Sequence, residues 1–258
     1  MLQVDTYLQE LFSLENEIAL ITGGGSGLGR AIALTLARAG ARVAVVGRRL
    51  EPLQEVAAGS ERIEAFQYDV TSHGKAGLLV EEVARVFGPP TILVNNAGIH
   101  LKRSAEATEV GEFRSMLDTH VLGAHALNSA VIPGMRQQGH GSIILIASMT
   151  ALFGIPSVIA YSAAKSAYLG ITRTLAAEVG RDGIRVNAIA PGWIDSDMMR
   201  RAMKDDPQRS ARVISRTPLG RFGDARDIGS AALYLCSPAA QFVTGTCLVV
   251  DGGVSIGF

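Results

Sequence analysis

The chain has 258 residues, 48% of them hydrophobic, which is enough for one α/β domain with a sizeable core. Its 24 basic and 24 acidic residues cancel and form no basic block, which argues against a nucleic-acid partner. Residues 1–17 lack a charged start followed by an apolar core, and no apolar run is long enough to span a bilayer, so neither a signal peptide nor a membrane segment is expected. Cys236 and Cys247 show neither a CxxC nor any metal-ligand spacing. They read as free thiols in a reducing cytoplasm, with no metal site. Glycine is frequent, 29 residues, and beside so much apolar content this suits tight turns rather than disorder.

Residues 1–16 read as a short N-terminal extension with a helical turn over 7–12, ahead of one domain over 17–258. Ile18–Thr22 is a compact apolar strand running into Gly23-Gly24-Gly25-Ser26-Gly27-Leu28-Gly29, then into helix formers over 30–38. Strand, glycine loop and helix are the context a dinucleotide-binding fingerprint requires, since glycine lets the backbone approach a pyrophosphate and the helix start supplies unpaired N–H groups. Arg42–Gly47 is the second strand and closes a βαβ unit. A carboxylate at its end would bind ribose hydroxyls; Gly47 stands there instead, followed by Arg48 and Arg49. A guanidinium pairs with a 2′-phosphate through two parallel hydrogen bonds, so NADP is favoured, with NAD possible.

A third strand is expected over 64–70, ending near Asp69 and Val70, with Thr71 or Ser72 capping a helix through Phe87. A fourth runs over 91–94 into Asn95-Asn96-Ala97-Gly98, small residues that let a ligand lie across the strand ends. A helical stretch follows over 104–135, broken by Gly111, Gly123 and Pro133. The apolar run 142–147 is a buried strand that delivers Ser148 to its end. A helix carrying Tyr161 and Lys165 extends to about Gly180, with Leu169, Ile171, Leu175, Ala176 and Val179 as core positions. A spacing of four puts the phenol and the ammonium on one helix face. A free phenol, pKa near ~10, is a poor base at neutral pH; a nearby cation lowers that value and allows proton transfer to or from a substrate oxygen. The Ser148 hydroxyl can hold the same oxygen.

A strand over 185–190 ends in Pro191-Gly192-Trp193. Residues 193–220, with Asp195, Asp197, Arg200, Arg201, Lys204, Asp205 and Asp206, read as a substrate lid. Helix Ala225–Cys236 and a strand over 246–250 close the chain before Asp251-Gly252-Gly253. The alternation implies a parallel, doubly wound α/β sheet with helices on both faces.

Thr22-Gly23-x-x-x-Gly27-x-Gly29, Asp69, Asn95-Asn96-Ala97-Gly98, Ser148, Tyr161-x-x-x-Lys165, Pro191-Gly192 and Asp251-Gly252-Gly253 occur in one order at coherent spacings. Together they resemble the short-chain dehydrogenase/reductase family, in its single-domain branch. That resemblance implies a Rossmann fold with a seven-stranded parallel sheet, a homotetramer or homodimer, and hydride transfer between a nicotinamide and a carbonyl or alcohol carbon. It casts Tyr161 as proton donor and acceptor, Ser148 as holder of the substrate oxygen, and Lys165 as the group that binds the ribose and lowers the phenol pKa. The expected cofactor contacts are Gly23, Ser26, Gly27, Leu28, Gly29, Arg48, Arg49, Asp69, Val70, Asn95, Ala97, Gly98, Tyr161, Lys165, Pro191, Gly192 and Ile194. The family places an asparagine, thought to hold a water in the proton path from the lysine, where this chain has His120. Histidine also donates and accepts, so the relay is expected to survive. His125 is not on the same face, so a metal pair is not expected.

His100, Lys102 and Arg103 are placed to reach a carboxylate or hydroxyls, which is similar to gluconate 5-dehydrogenases and points to a polyol or sugar acid. Met149, Leu152, Phe153, Trp193 and Met198 instead offer an apolar lining, which suits a steroid, a ketone or a 3-oxoacyl thioester. A dinucleotide sensor without turnover is the reading from another class, and intact Ser148, Tyr161 and Lys165 speak against it.

Overall fold

A computed structural model describes residues 6–196, 199 and 207–257. Helix α1 (Thr6–Phe12) precedes β1 (Ile18–Thr22), α2 (Gly27–Arg38), β2 (Arg42–Gly47), α3 (Leu50–Ala57), β3 (Ile63–Gln67), α4 (Ala76–Phe87) and β4 (Ile92–Asn95). Then follow α5 (Val110–Leu117), α6 (Gly123–Gln138), β5 (Gly141–Ile146), α7 (Ile159–Val179), β6 (Ile184–Pro191), α8 (Pro207–Ser215), α9 (Ala225–Cys236) and β7 (Cys247–Val250).

The strands form one seven-stranded sheet in the order β3-β2-β1-β4-β5-β6-β7, and every pair is parallel. β1, β4 and β5 are buried along their whole length, as expected of strands covered by helices on both faces. Alternation along β1 sends Leu20 to one core, beneath α4, α6 and α7, and Ile21 to the other, beneath α2 and α9. β1 pairs with β2 on one side and with β4 on the other, so the strand order reverses at its C-terminal end. A crevice opens at such a point. Among the described residues no helix is long and apolar enough to cross a membrane.

Strands Ile18–Thr22 and Arg42–Gly47 and helix Ala225–Cys236 form with the expected bounds. The strands expected over 91–94, 142–147, 185–190 and 246–250 form within a residue of those bounds, and several other elements depart from expectation. The third strand stops at Gln67, and Asp69 instead closes a turn by accepting from the Thr71 amide (3.0 Å) and hydroxyl (2.8 Å). Neither Thr71 nor Ser72 caps α4: a short 3-10 turn, His73–Lys75, precedes it, and the Ser72 side chain makes no cap bond. Helix α3, not among the expected elements, tolerates Pro52 because proline sits in its first turn, and it buries Leu53 and Val56. The expected helix over 104–135 starts only at Val110, behind a capping box made by Glu109 and Glu112. Gly123 and Pro133 do not break it. The irregularity is a π-helical turn, Asp118–Leu122, after which α6 runs on to Gly139 in the left-handed region. On α7 the fully buried positions are Ala160, Ala164, Lys165, Tyr168, Thr172, Ala176 and Val179, while Leu169, Ile171 and Leu175 are only partly covered.

The N-terminal extension is tied down by Leu14, buried and bonded through its amide to Ala39, and by the Arg62–Glu15 ion pair at 3.2 Å.

Candidate active site

The glycine loop is shaped by contacts no other residue permits. Gly23 lies at φ 64°, and a Cβ on Gly29 would come within 2.2 Å of the Gly23 carbonyl oxygen, so the first turn of α2 presses directly on the loop. Gly27, at φ 52°, faces open space. Ser26 caps α2 without a side-chain hydrogen bond, which leaves the first N–H groups of the helix pointing outward. Thr22 joins this loop to the end of β4: its hydroxyl accepts from the amides of Asn96 and Ala97, both at 3.0 Å. The Asn96 side chain donates back through Nδ2 to the carbonyls of Thr22 (2.9 Å) and Gly23 (3.2 Å).

A cleft of about 350 Å³ opens above these strand ends. Its floor is Gly23, Ser26, Gly27 and Leu28 with Asn96, Ala97 and Gly98. One wall carries Ser148, Tyr161 and Lys165; the other carries Pro191, Gly192, Trp193 and Ile194. Ser148 lies two residues past the end of β5, its hydroxyl accepts from the Thr150 amide at 3.1 Å, and it lies on the same cleft wall as the Tyr161 phenol. Lys165, one turn beyond Tyr161, places Nζ 5.7 Å from the Tyr161 ring centroid and donates to the Ile146 carbonyl at 2.6 Å.

The electrostatics correct one expectation. The Tyr161 pKa is raised, not lowered: loss of water around the phenol dominates, and the Ser148 hydroxyl opposes it only in part. Lys165 yields to the same cause, since burial lowers its pKa to about 7, and an ammonium so weakened does little to draw the phenolate out.

His120 lies in the π-helical turn, 1% exposed. Its Nε2 is 2.9 Å from the Ile99 carbonyl and 3.2 Å from the Ile99 amide. The shorter contact favours Nε2–H donating to the carbonyl, which leaves Nδ1 as a buried acceptor without a partner among the described residues. Burial lowers the His120 pKa to about 3, so the ring is neutral at physiological pH. Gly98 is the residue that makes room for it, because a Cβ there would lie 2.3 Å from His120 Cε1.

With this geometry the chain matches a family model described as enoyl-(acyl carrier protein) reductase over residues 23–255. It is 34% identical over 251 residues to gluconate 5-dehydrogenase of Gluconobacter oxydans (strain 621H), covering 96% of this chain and 98% of that one. It is 35% identical over 246 residues to the 3-oxoacyl-acyl-carrier-protein reductase of Escherichia coli (strain K12), covering 94% and 98%. The crystal structure of a gluconate 5-dehydrogenase from Burkholderia cenocepacia J2315, in complex with NADP and tartrate, superposes with a TM-score of 0.92 at 32% identity, covering 97% of this chain and all of that one. The chain belongs to the short-chain dehydrogenase/reductase family.

This dehydrogenase/reductase places the other expected residues unequally. Arg48, Arg49, Asp69 and Val70 lie beyond the cleft lining, past the C-terminal ends of β2 and β3, where Arg48 helps to hold the Asp69 carboxyl below its usual range after the dominant Thr71 amide bond. Asn95 turns away from the cleft: its side chain is buried and donates to Asn128 on α6 at 2.9 Å, and its neighbour Asn96 lines the floor instead. Arg103 is exposed and paired with Glu112 at 3.1 Å, and neither it nor Lys102 lines the cleft. His100 does, with its ring 5.0 Å from that of Tyr161. Met149 and Trp193 line the cleft as expected, together with Ile155 and Val158, which sequence reasoning missed because nothing local marks them. Leu152 and Phe153 belong to an adjoining shallow groove. Of the expected lid, Trp193, Ile194, Ser196 and Met199 line the cleft, while Asp197, Met198, Arg200, Arg201, Lys204, Asp205 and Asp206 lie outside the described residues. Among the described residues no three metal-ligating side chains converge.

Proposed function

We propose that this chain is an NADP-preferring oxidoreductase that interconverts a secondary alcohol and its ketone, with polyols or sugar acids as the first substrate class. The observation that carries this reading is Ser148 and Tyr161 on one cleft wall with Lys165 one turn on, facing the glycine loop and the Pro191–Gly192 turn across the same cleft. The loop fits a dinucleotide: Gly27 leaves open space where a side chain would project, and the unpaired N–H groups of α2 suit a pyrophosphate. When bound, the nicotinamide supplies or accepts the hydride.

The chain's own residues do the rest. Gly23, Ser26, Gly27, Leu28 and Gly29 cradle the phosphates. Asp69 and Val70 flank the adenine, Arg48 and Arg49 meet the 2′-phosphate, and Ala97 and Gly98 let the dinucleotide cross the strand ends, with Asn95 bracing them from behind. Pro191, Gly192 and Ile194 support the nicotinamide side, and Lys165 holds its ribose. Ser148 orients the substrate oxygen, and Tyr161, kept protonated at neutral pH by burial, gives it a proton in the reducing direction. In the oxidising direction the same phenol must first lose its proton; the neighbouring acceptor is the neutral form of Lys165, reached near its pKa of about 7, while His120, neutral down to about pH 3, serves only as a relay. The segment 193–220 covers the substrate in this reading, which Trp193, Ser196 and Met199 support by lining the cleft.

Gluconate 5-dehydrogenase relatives and the tartrate-bound neighbour favour a hydroxy acid. The 3-oxoacyl reductase relative, with Met149, Ile155, Val158 and Trp193 in the cleft, supports the acyl thioester as second choice. The homotetramer draws support from exposed Leu219, Phe242, Val249 and Ile256, which flank the open edge of β7. The two unpaired cysteines suit a reducing cytoplasm. A panel of sugar acids, polyols, steroids and acyl thioesters, run with NADP(H) and NAD(H) in parallel, tests the assignment. Fastest turnover on a sugar acid or polyol with NADP(H) is expected; tight cofactor binding without turnover on any of them would favour the sensor.

A further inference from the structure

Lys165 is enclosed between two phenol rings. Tyr161, Lys165 and Tyr168 follow one another on a single face of α7, and the ammonium lies 5.7 Å from the first ring centroid and 4.8 Å from the second. The nearer ring is the one no motif contains. Tyr168 is 1% exposed, its hydroxyl donates to the His120 carbonyl at 2.9 Å, and its ring meets the His120 ring edge-on at 6.5 Å. The π-helical turn supplies that carbonyl, which also accepts from the Gly123 amide.

The ammonium has three donors, and one goes to the Ile146 carbonyl. Burial alone accounts for its lowered pKa, and no carboxylate pairs with it among the described residues. The titratable groups facing it are Tyr161 and Tyr168 from its own helix and His120 from the π-helical turn, with β5 offering only backbone. A buried cation without a counter-charge is stabilised by the negative face of an aromatic ring within about 6 Å. We infer that Tyr168 is a positioning residue for Lys165: its ring face holds the ammonium charged and in place, and its hydroxyl, pinned to the His120 carbonyl, fixes the ring. The consequence for turnover rests on the oxidoreductase reading of the cleft; the hold on the ammonium does not.

The test is a side-chain 15N-lysine NMR titration of the full chain, with Lys165→Met to assign the signal. In Tyr168→Leu the Lys165 midpoint is expected about one pH unit lower than in the wild type, and in Tyr168→Phe, which keeps the ring, less than half that. A midpoint unchanged in Tyr168→Leu would overturn the inference and leave Tyr168 a core residue. Should Tyr168→Leu not fold, pentafluorophenylalanine at 168, compared with Tyr168→Phe, keeps the shape and reverses the ring face. A lower midpoint supports the cation contact, and equal midpoints overturn it. Wild-type turnover on the carbonyl panel is measured separately, so an inactive wild type would refute the proposed function while the titration still decides the role of Tyr168. Where turnover is present, kcat at pH 7 is expected to fall in Tyr168→Leu with KM for the carbonyl substrate unchanged.

Discussion

His120 and Lys165 have both surrendered their water, which lowers the pKa of each. The folded chain refuses a proton at His120 down to about pH 3, whereas the unfolded chain takes one near 6.5. Between those values the unfolded state binds more protons, so stability falls as pH drops through the window, and above it the ring contributes nothing. Lys165 behaves likewise between 10.5 and about 7, where stability falls as pH falls. His120→Asn is therefore expected to flatten the acid side only: urea midpoints at pH 7 and pH 5 should differ more in the wild type than in the variant. Equal differences would mean that the folded ring takes its proton normally. Tyr161→Phe removes the proposed proton donor while keeping the ring tilted against His100 and edge-on to His120. It should lower kcat by roughly 10²–10⁴-fold with dinucleotide affinity little changed, as read by fluorescence titration.

At the scale of elements, the cleft depends on one close approach. The turn after β4 and the π-helical turn interlock through Gly98 and His120. Gly98→Ala drives a methyl into a ring held by the Ile99 backbone, at a cost of about 1–3 kcal/mol by denaturant midpoint. The same change in the His120→Asn background should cost clearly less, because the two sites share one contact; additive costs would disprove the interlock. Helix α9 begins with a capping box in which Asp224 accepts from the Arg226 amide at 2.8 Å and Asp227 accepts from the Asp224 amide at 2.8 Å. Asp224→Ala should cost about 1 kcal/mol without altering turnover, since α9 packs on α2 and the sheet, away from the cleft. The same helix shows how an element becomes legible: Asp224 marks its start, its apolar positions recur at helical spacing, and its bounds are as expected. By contrast, the π-helical turn has no local mark, because it is wound by the Tyr168 hydroxyl and the Ile99 backbone reaching His120 from distant parts of the chain.

On the scale of the whole molecule, the sheet gathers candidate residues at the C-terminal ends of its strands, while α7 carries Tyr161 and Lys165 and the π-helical turn carries His120. The glycine loop follows β1, the arginines β2, Asp69 β3, Asn96 β4, Ser148 β5 and Gly192 β6. In the proposed function a dinucleotide lies along that edge, so loss at its far end can be read in cofactor choice. Arg48→Ala should raise KM for NADPH roughly tenfold or more and leave KM for NADH nearly unchanged, as measured by initial rates. Equal effects on both would remove the argument for a 2′-phosphate contact.

The strand–glycine–helix unit, the parallel sheet and the spacing of Tyr161 and Lys165 were written in the sequence, because each depends on neighbours a few residues apart and on apolar runs that one fold class can bury. Only the tertiary structure decided which residues meet across the fold. It turned Asn95 to Asn128 and Arg103 to Glu112, and it put Tyr168 under Lys165 and His120 against Gly98. Protonation was decided there as well, since a pKa follows the water a group loses, and that loss is set by segments far apart in the chain.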